Sequence, residues 1–219
     1  MPNRFVRSAT AERMADENGR PREGLLELYR TLAEGGVGLI ISGHLYVDAD
    51  GKCHPEMTAI DDDGVIADLA RVVDTVHAAG GQIAAQINHG GAQCSRETVT
   101  EAVAPSDIVA DYLPQPARAL TEAEIARVIQ AYAEGARRAQ ATGFDAVQLH
   151  GAHGYLINQF LSPFTNRRTD AWGGDLAHRM RFLREICSAV RSAVGAHYPV
   201  FVKLGVVDAV EGGLVLDDG

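Results

Sequence analysis

Short apolar runs recur along this chain and alternate with longer stretches of helical period. The runs are Arg4–Ser8, Gly38–Ser42 (GLIIS), Gln82–Ile87, Ala146–Leu149 and Pro199–Leu204 (PVFVKL). GLIIS is nearly continuous in its apolarity, as expected of a strand buried on both faces. Between the runs, Leu25–Glu34 reads as a helix ended by Gly35-Gly36. Asp63–Ala79 places Ile66, Leu69, Ala70, Val73 and Val76 at helical spacing and stops at Gly80-Gly81. Thr121-x-x-Glu124 forms a capping box. Behind it Ile125, Val128, Ile129, Tyr132 and Ala136 mark one face of a long helix that ends near Gly143. Leu176–Val194 is another amphipathic helix. Asn88–Ala119, rich in Gly, Ser, Thr and Pro, reads as a loop, as does the polar run after Leu149.

Five strands and four helices in strict alternation predict one α/β domain over residues 1–219, with a parallel sheet. A doubly wound open sheet and a (β/α)8 barrel both satisfy the order. The first requires G-x-G-x-x-G after the first strand. The sequence there is ATAERMADENG.

Composition narrows the function. The 29 acidic and 20 basic residues give a formal charge of -9, which argues against general nucleic-acid or anionic-membrane binding. A mean hydropathy of -0.07 with 46% hydrophobic residues fits a chain that buries a core. No apolar run approaches the roughly 20 residues that cross a bilayer, and MPNRFVRSAT lacks the apolar heart of a signal peptide. Cys53, Cys94 and Cys187 lie far apart and form no C-x-x-C pair. They imply neither a disulfide framework nor a zinc knuckle, and a reducing cytoplasm is the plain reading.

Each strand ends in hydrogen-bonding or charged groups: Ser8-Ala9-Thr10, Ser42-Gly43-His44, Gln86-Ile87-Asn88-His89, Gln148-Leu149-His150 and Lys203. In a barrel these ends share one polar mouth. His150 and His153 stand three apart at the start of a loop. Neutral imidazoles there can donate to a ligand oxygen or bind a metal. A metal needs a third ligand, for which His44, His54 and His89 are available, but no H-E-x-x-H signature is present. The Tyr155 phenol can act as a general acid beside a developing carbanion or enolate. Lys203, at the end of a buried strand, needs an anionic partner or a wet mouth. The Gln86 amide offers a donor and an acceptor to a ring edge.

The run LHGAHGYLINQFLSPFTNRRTDAWGG, with HRMRFLREI after it, resembles the Old Yellow Enzyme family of FMN-dependent oxidoreductases. NRFVRSAT, GLIISG, QINHGG, APSDI, LTEAEI and FVKLG support the resemblance in the family's order across nearly the whole chain. The resemblance implies a TIM (β/α)8 barrel with FMN in its mouth, reduced by NADPH or NADH and passing hydride to an activated alkene. It implies that His150 and His153 hold the substrate's carbonyl or nitro oxygen and that Tyr155 protonates the α-carbon. It implies that Gln86 and Lys203 contact the polar edge of the flavin. Ser8, Ala9, Thr10 and Gly43 would lie against the ring. Where many relatives carry a flavin-tuning Thr or Cys, this sequence has Ala11 or, one residue earlier, Thr10.

A full barrel takes about 250 residues in eight βα units, whereas about five units are legible here. The sequence is therefore expected to be truncated at both ends, a fragment or one half of an assembly, whether a homo-oligomer or a pairing with a missing C-terminal barrel half. Two other readings stand beside the reductase: a metal-dependent barrel hydrolase built on the histidines, and a non-catalytic half-barrel that serves as an assembly partner.

Overall fold

The computed structural model describes residues 1–218. In chain order, its elements are strand β1 (Val6–Arg7), helix α1 (Glu23–Glu34), strands β2 (Leu39–Ile41) and β3 (Leu45–Tyr46), helix α2 (Ile66–Ala78) and strand β4 (Ile83–Asn88). Strands β5 (Ala102–Ala104) and β6 (Ala117–Ala119) precede helix α3 (Glu122–Ala141) and strand β7 (Ala146–Gly151). Helices α4 (Leu156–Leu161), α5 (Leu176–Arg179) and α6 (Arg181–Val194) lead to strand β8 (Val200–Leu204).

All five expected strands form, and they lie in the order β1-β2-β4-β7-β8 with every pairing parallel. This is part of a TIM barrel, with α1, α2, α3 and α6 as the crossovers between successive barrel strands. Side-chain parity separates two faces. Ile40, Ile83, Ala85, Ile87, Val147 and Leu149 join the main core, to which the helices contribute Tyr29, Val73, Tyr132, Phe182 and Ile186. Leu39, Ile41, Ala84 and Ala146 form a separate inner cluster with Ala9 packed on it. Phe182 stacks on Phe160 with centroids 4.1 Å apart, closing the core under α4. Strand β8 is a sheet edge, and Phe201, Val202 and Leu204 there remain 40–43% exposed.

Among the described residues the four-helix count is corrected to six α-helices. The helix expected over Leu176–Val194 divides at Met180, whose φ of -71° and ψ of -16° are close to those of a 3-10 turn. The polar run after Leu149 contains α4, whose six residues are all buried. A helix buried on every side carries no amphipathic signal. The expected loop over Asn88–Ala119 is also corrected, because it holds β5 and β6, a parallel pair of three residues each. The short β3, pairing with β4, falls between the runs that sequence periodicity marks. The capping box is present in full: the Glu124 N–H donates to the Thr121 hydroxyl, and the Glu124 carboxylate accepts from the Thr121 N–H at 2.8 Å.

Candidate active site

Register brings the polar strand ends together. Gln86 is paired with Gln148 across β4 and β7, and His150 with Lys203 across β7 and β8. Gln148 and His150 are two positions apart, so all four side chains fall on one face, continuing the line of Ala84 and Ala146. The Gln86 amide donates to Gln148 Oε1 at 2.7 Å, which spends one of its N–H groups.

Beyond His150 the backbone turns sharply. His153 takes φ +61°, a left-handed conformation uncommon outside glycine, and Gly154 follows at φ +72°. The start of α4 holds this turn. Asn158 Oδ1 accepts from the Gly154 N–H at 2.7 Å, and the Gln159 amide donates to the Gly154 carbonyl at 2.6 Å. From the other side, the Gln93 amide donates to the His153 carbonyl at 2.6 Å. These three amides position the turn, and sequence reasoning missed them. Their one sequence signal is a pair of polar residues, Asn158-Gln159, inside an otherwise apolar run.

The result is a cluster of rings. His150 lies 5.1 Å from His153 and 4.9 Å from Tyr155 between centroids, each edge to face. His44 joins them, 5.1 Å from Tyr155 and 6.1 Å from His150. A small cavity is lined by Ala9, Thr10, Ala11, His44, Gln86, His150, His153, Tyr155 and Lys203. Seven of the nine residues singled out from sequence therefore line one space. Ser8 is exposed at the edge of the 9–11 strip. Gly43 stands behind that strip, its N–H directed to the Tyr29 hydroxyl at 3.0 Å. Its neighbour His44 lines the cavity instead, and Ala11 completes the strip. A larger cavity of about 610 Å³ adjoins this one and shares His153.

Electrostatics set the protonation states. Burial holds the His150 imidazole down to about 3, with His44, His153 and Lys203 adding to the effect. His44 is held down to about 4, again chiefly by burial. His153 is lowered by burial and by Lys203. All three rings are thus neutral near pH 7, able to donate one N–H each. Burial pushes the Tyr155 phenol up to about 12, so it keeps its proton. No hydrogen-bond partner holds the Tyr155 hydroxyl among the described residues, and none of their carboxylates lies within ion-pair distance of Lys203.

The donor set suits a flavin. Ala9, Thr10 and Ala11 present small side chains, no carboxylate among the described residues lines the cavity, and Lys203 and Gln86 share one face of the sheet. A flat ring that gains negative charge on reduction fits this arrangement. Barrel proteins that hold a planar redox cofactor at the C-terminal ends of their strands are the class so defined. The chain belongs to the NADH:flavin oxidoreductase / NADH oxidase family, whose sequence profile matches residues 1–218. FMN is that family's cofactor.

The NADH oxidase of Thermoanaerobacter brockii is 41% identical over 99% of this chain and 34% of its own length. The NADPH dehydrogenase of Halalkalibacterium halodurans is 40% identical over 100% of this chain and 63% of its own length. The solved old yellow enzyme homologue of Zymomonas mobilis superposes with a TM-score of 0.87 at 31% identity, covering 97% of this chain and 62% of that one. The chain thus spans between about a third and two thirds of these relatives. Among the described residues, no helix is long and apolar enough to cross a membrane.

Proposed function

We propose that this protein is an FMN-dependent oxidoreductase that uses NADPH or NADH to reduce activated C=C bonds, such as those of enones and nitroalkenes. Bound FMN would supply hydride transfer between the nicotinamide and the alkene. His150 and His153 donate N–H groups to the substrate's carbonyl or nitro oxygen. Being neutral, they polarise the double bond without surrendering a proton. Tyr155, holding its proton up to about 12, delivers it to the α-carbon as charge develops there. Lys203 and the Gln86 amide would hold the polar edge of the cofactor, where the Lys203 ammonium would stabilise negative charge.

The observation that carries this reading is the convergence of His150, His153 and Tyr155, with Lys203, on one cavity. The names of the relatives support the nicotinamide reductant. Among the described residues, no group of three or more His, Cys, Asp or Glu is arranged to hold a metal ion. The direct test is oxidation of NADPH or NADH by the yellow protein in the presence of cyclohexenone. Turnover should be lost on His150→Ala. Colourless protein that forms dimers and gains nothing from added FMN would instead support a half-barrel that acts only in assembly.

A further inference from the structure

Behind the 9–11 strip lies a charge pair that the proposed chemistry does not use. The Glu12 carboxylate accepts from Arg7 Nη1 at 2.6 Å, from the Tyr29 hydroxyl at 2.9 Å and from the Gly43 N–H at 3.2 Å. Both charged side chains are largely buried, with 17% exposure at Arg7 and 8% at Glu12. Arg7 Nη1 also reaches the Ile41 carbonyl at 3.1 Å, tying β1 to the end of β2. The Arg7 guanidinium lies 5.7 Å from the centroid of the Tyr29 ring, which is itself almost wholly buried. Gly43 is required here, because a Cβ at that position would strike the Glu12 carboxylate and the Thr10 carbonyl. A buried ion pair is a weak source of stability, since desolvation offsets most of its attraction. Its position, directly behind the residues that floor the candidate flavin site, gives it another use.

We propose that the Arg7–Glu12 pair tunes the reduction potential of the flavin, with Glu12 opposing and Arg7 favouring the negative charge of the reduced ring. The inference rests on the FMN reading above. Neither residue touches the cavity, so both act as positioning and electrostatic residues through the Ala9–Ala11 strip. Tyr29 moderates the pair by donating to the carboxylate.

The test is the midpoint potential of the FMN-loaded full-length protein, measured by spectroelectrochemistry. Glu12→Gln leaves the Arg7 charge uncompensated and should favour the reduced flavin about tenfold, a rise of about 30 mV for a two-electron couple. Arg7→Gln should lower the potential by a similar amount. Tyr29→Phe retains both charges, removes one donor from the carboxylate while the Gly43 N–H keeps its Glu12 acceptor, and should favour the oxidised flavin about threefold, a fall of about 15 mV. Shifts of opposite sign for Glu12→Gln and Arg7→Gln are the signature that simple loosening of the strip would not produce. If either charge variant fails to fold, the sign of the Tyr29→Phe shift decides. Equal shifts in one direction, or an unmoved potential in Tyr29→Phe, would overturn the inference. A wild-type protein that takes up no FMN would overturn the functional reading itself, which is a separate outcome.

Discussion

Replacing Tyr155 by phenylalanine separates chemistry from stability more cleanly than any other change at this site. The phenol is half-buried and its ring packs edge-on to His150 at 4.9 Å. Its hydroxyl has no hydrogen-bond partner among the described residues, so Tyr155→Phe removes no internal bond and strands no partner. The expected change in unfolding free energy is within about 0.5 kcal/mol, that of a substitution with no structural mechanism behind it. Loss of a positioned general acid costs roughly 10²–10⁴-fold in rate, or about 3–5 kcal/mol of transition-state stabilisation. Anaerobic stopped-flow absorbance resolves the two half-reactions. Reduction by NADPH should be unchanged, and reoxidation by cyclohexenone should slow by at least about 100-fold. The pH dependence carries a further signature. With the phenol held up to about 12 by burial, the proton-delivering form persists through the neutral range, and the wild-type step should lose rate only as pH rises toward that value. Reoxidation of Tyr155→Phe at the wild-type rate would refute the assignment of Tyr155 as the acid.

Three further outcomes follow from the packing and charge. Phe182→Ala, which empties a fully buried site stacked on Phe160, should cost about 3–5 kcal/mol in a urea titration. Thr121→Ala removes the capping box of α3 and should cost about 0.5–2 kcal/mol in the same assay. His44, His89 and His150 are held down to about 4, 4 and 3 by burial. A histidine lowered in the fold binds its proton first in the unfolded chain, so stability should fall as pH drops below about 6.5. Three such groups give a slope of about 4 kcal/mol per pH unit near pH 5. A stability that stays flat from pH 6.5 to 4, by denaturant titration, would contradict the buried neutral rings.

The fold was legible where periodicity speaks. GLIIS announced a buried strand and the Thr121 box announced α3 at its first residue, whereas PVFVKL announced a strand whose expected burial is corrected, since β8 lies at the sheet edge with three of its residues exposed. It was silent where burial is total or elements are short. Helix α4 is buried on every side, and β5 and β6 are alanine-rich pairs of three residues, below the length at which alternation shows. At the site, strand-end polarity and the long motif located His150, His153, Tyr155, Gln86 and Lys203. His44 was weighed only as a third metal ligand, and Glu12 was assigned no role. His44 lies one position beyond Gly43, and only coordinates show that its ring turns toward Tyr155. The Glu12 carboxylate occupies the space that Gly43 leaves open and is bonded there by Tyr29 from a distant helix, a contact no local pattern encodes.

FMN would lie in a single mouth between the 9–11 strip, Lys203 and the histidines His150 and His153. Titration of the protein with FMN, followed by the flavin visible spectrum and by ring-proton resonances of its histidines and tyrosines, tests it most directly. A perturbed flavin band should saturate at one FMN per chain, with shifts at His44, His150, His153 and Tyr155 and weaker binding in Lys203→Ala. An unperturbed spectrum, or binding that leaves those four rings unmoved, would contradict it.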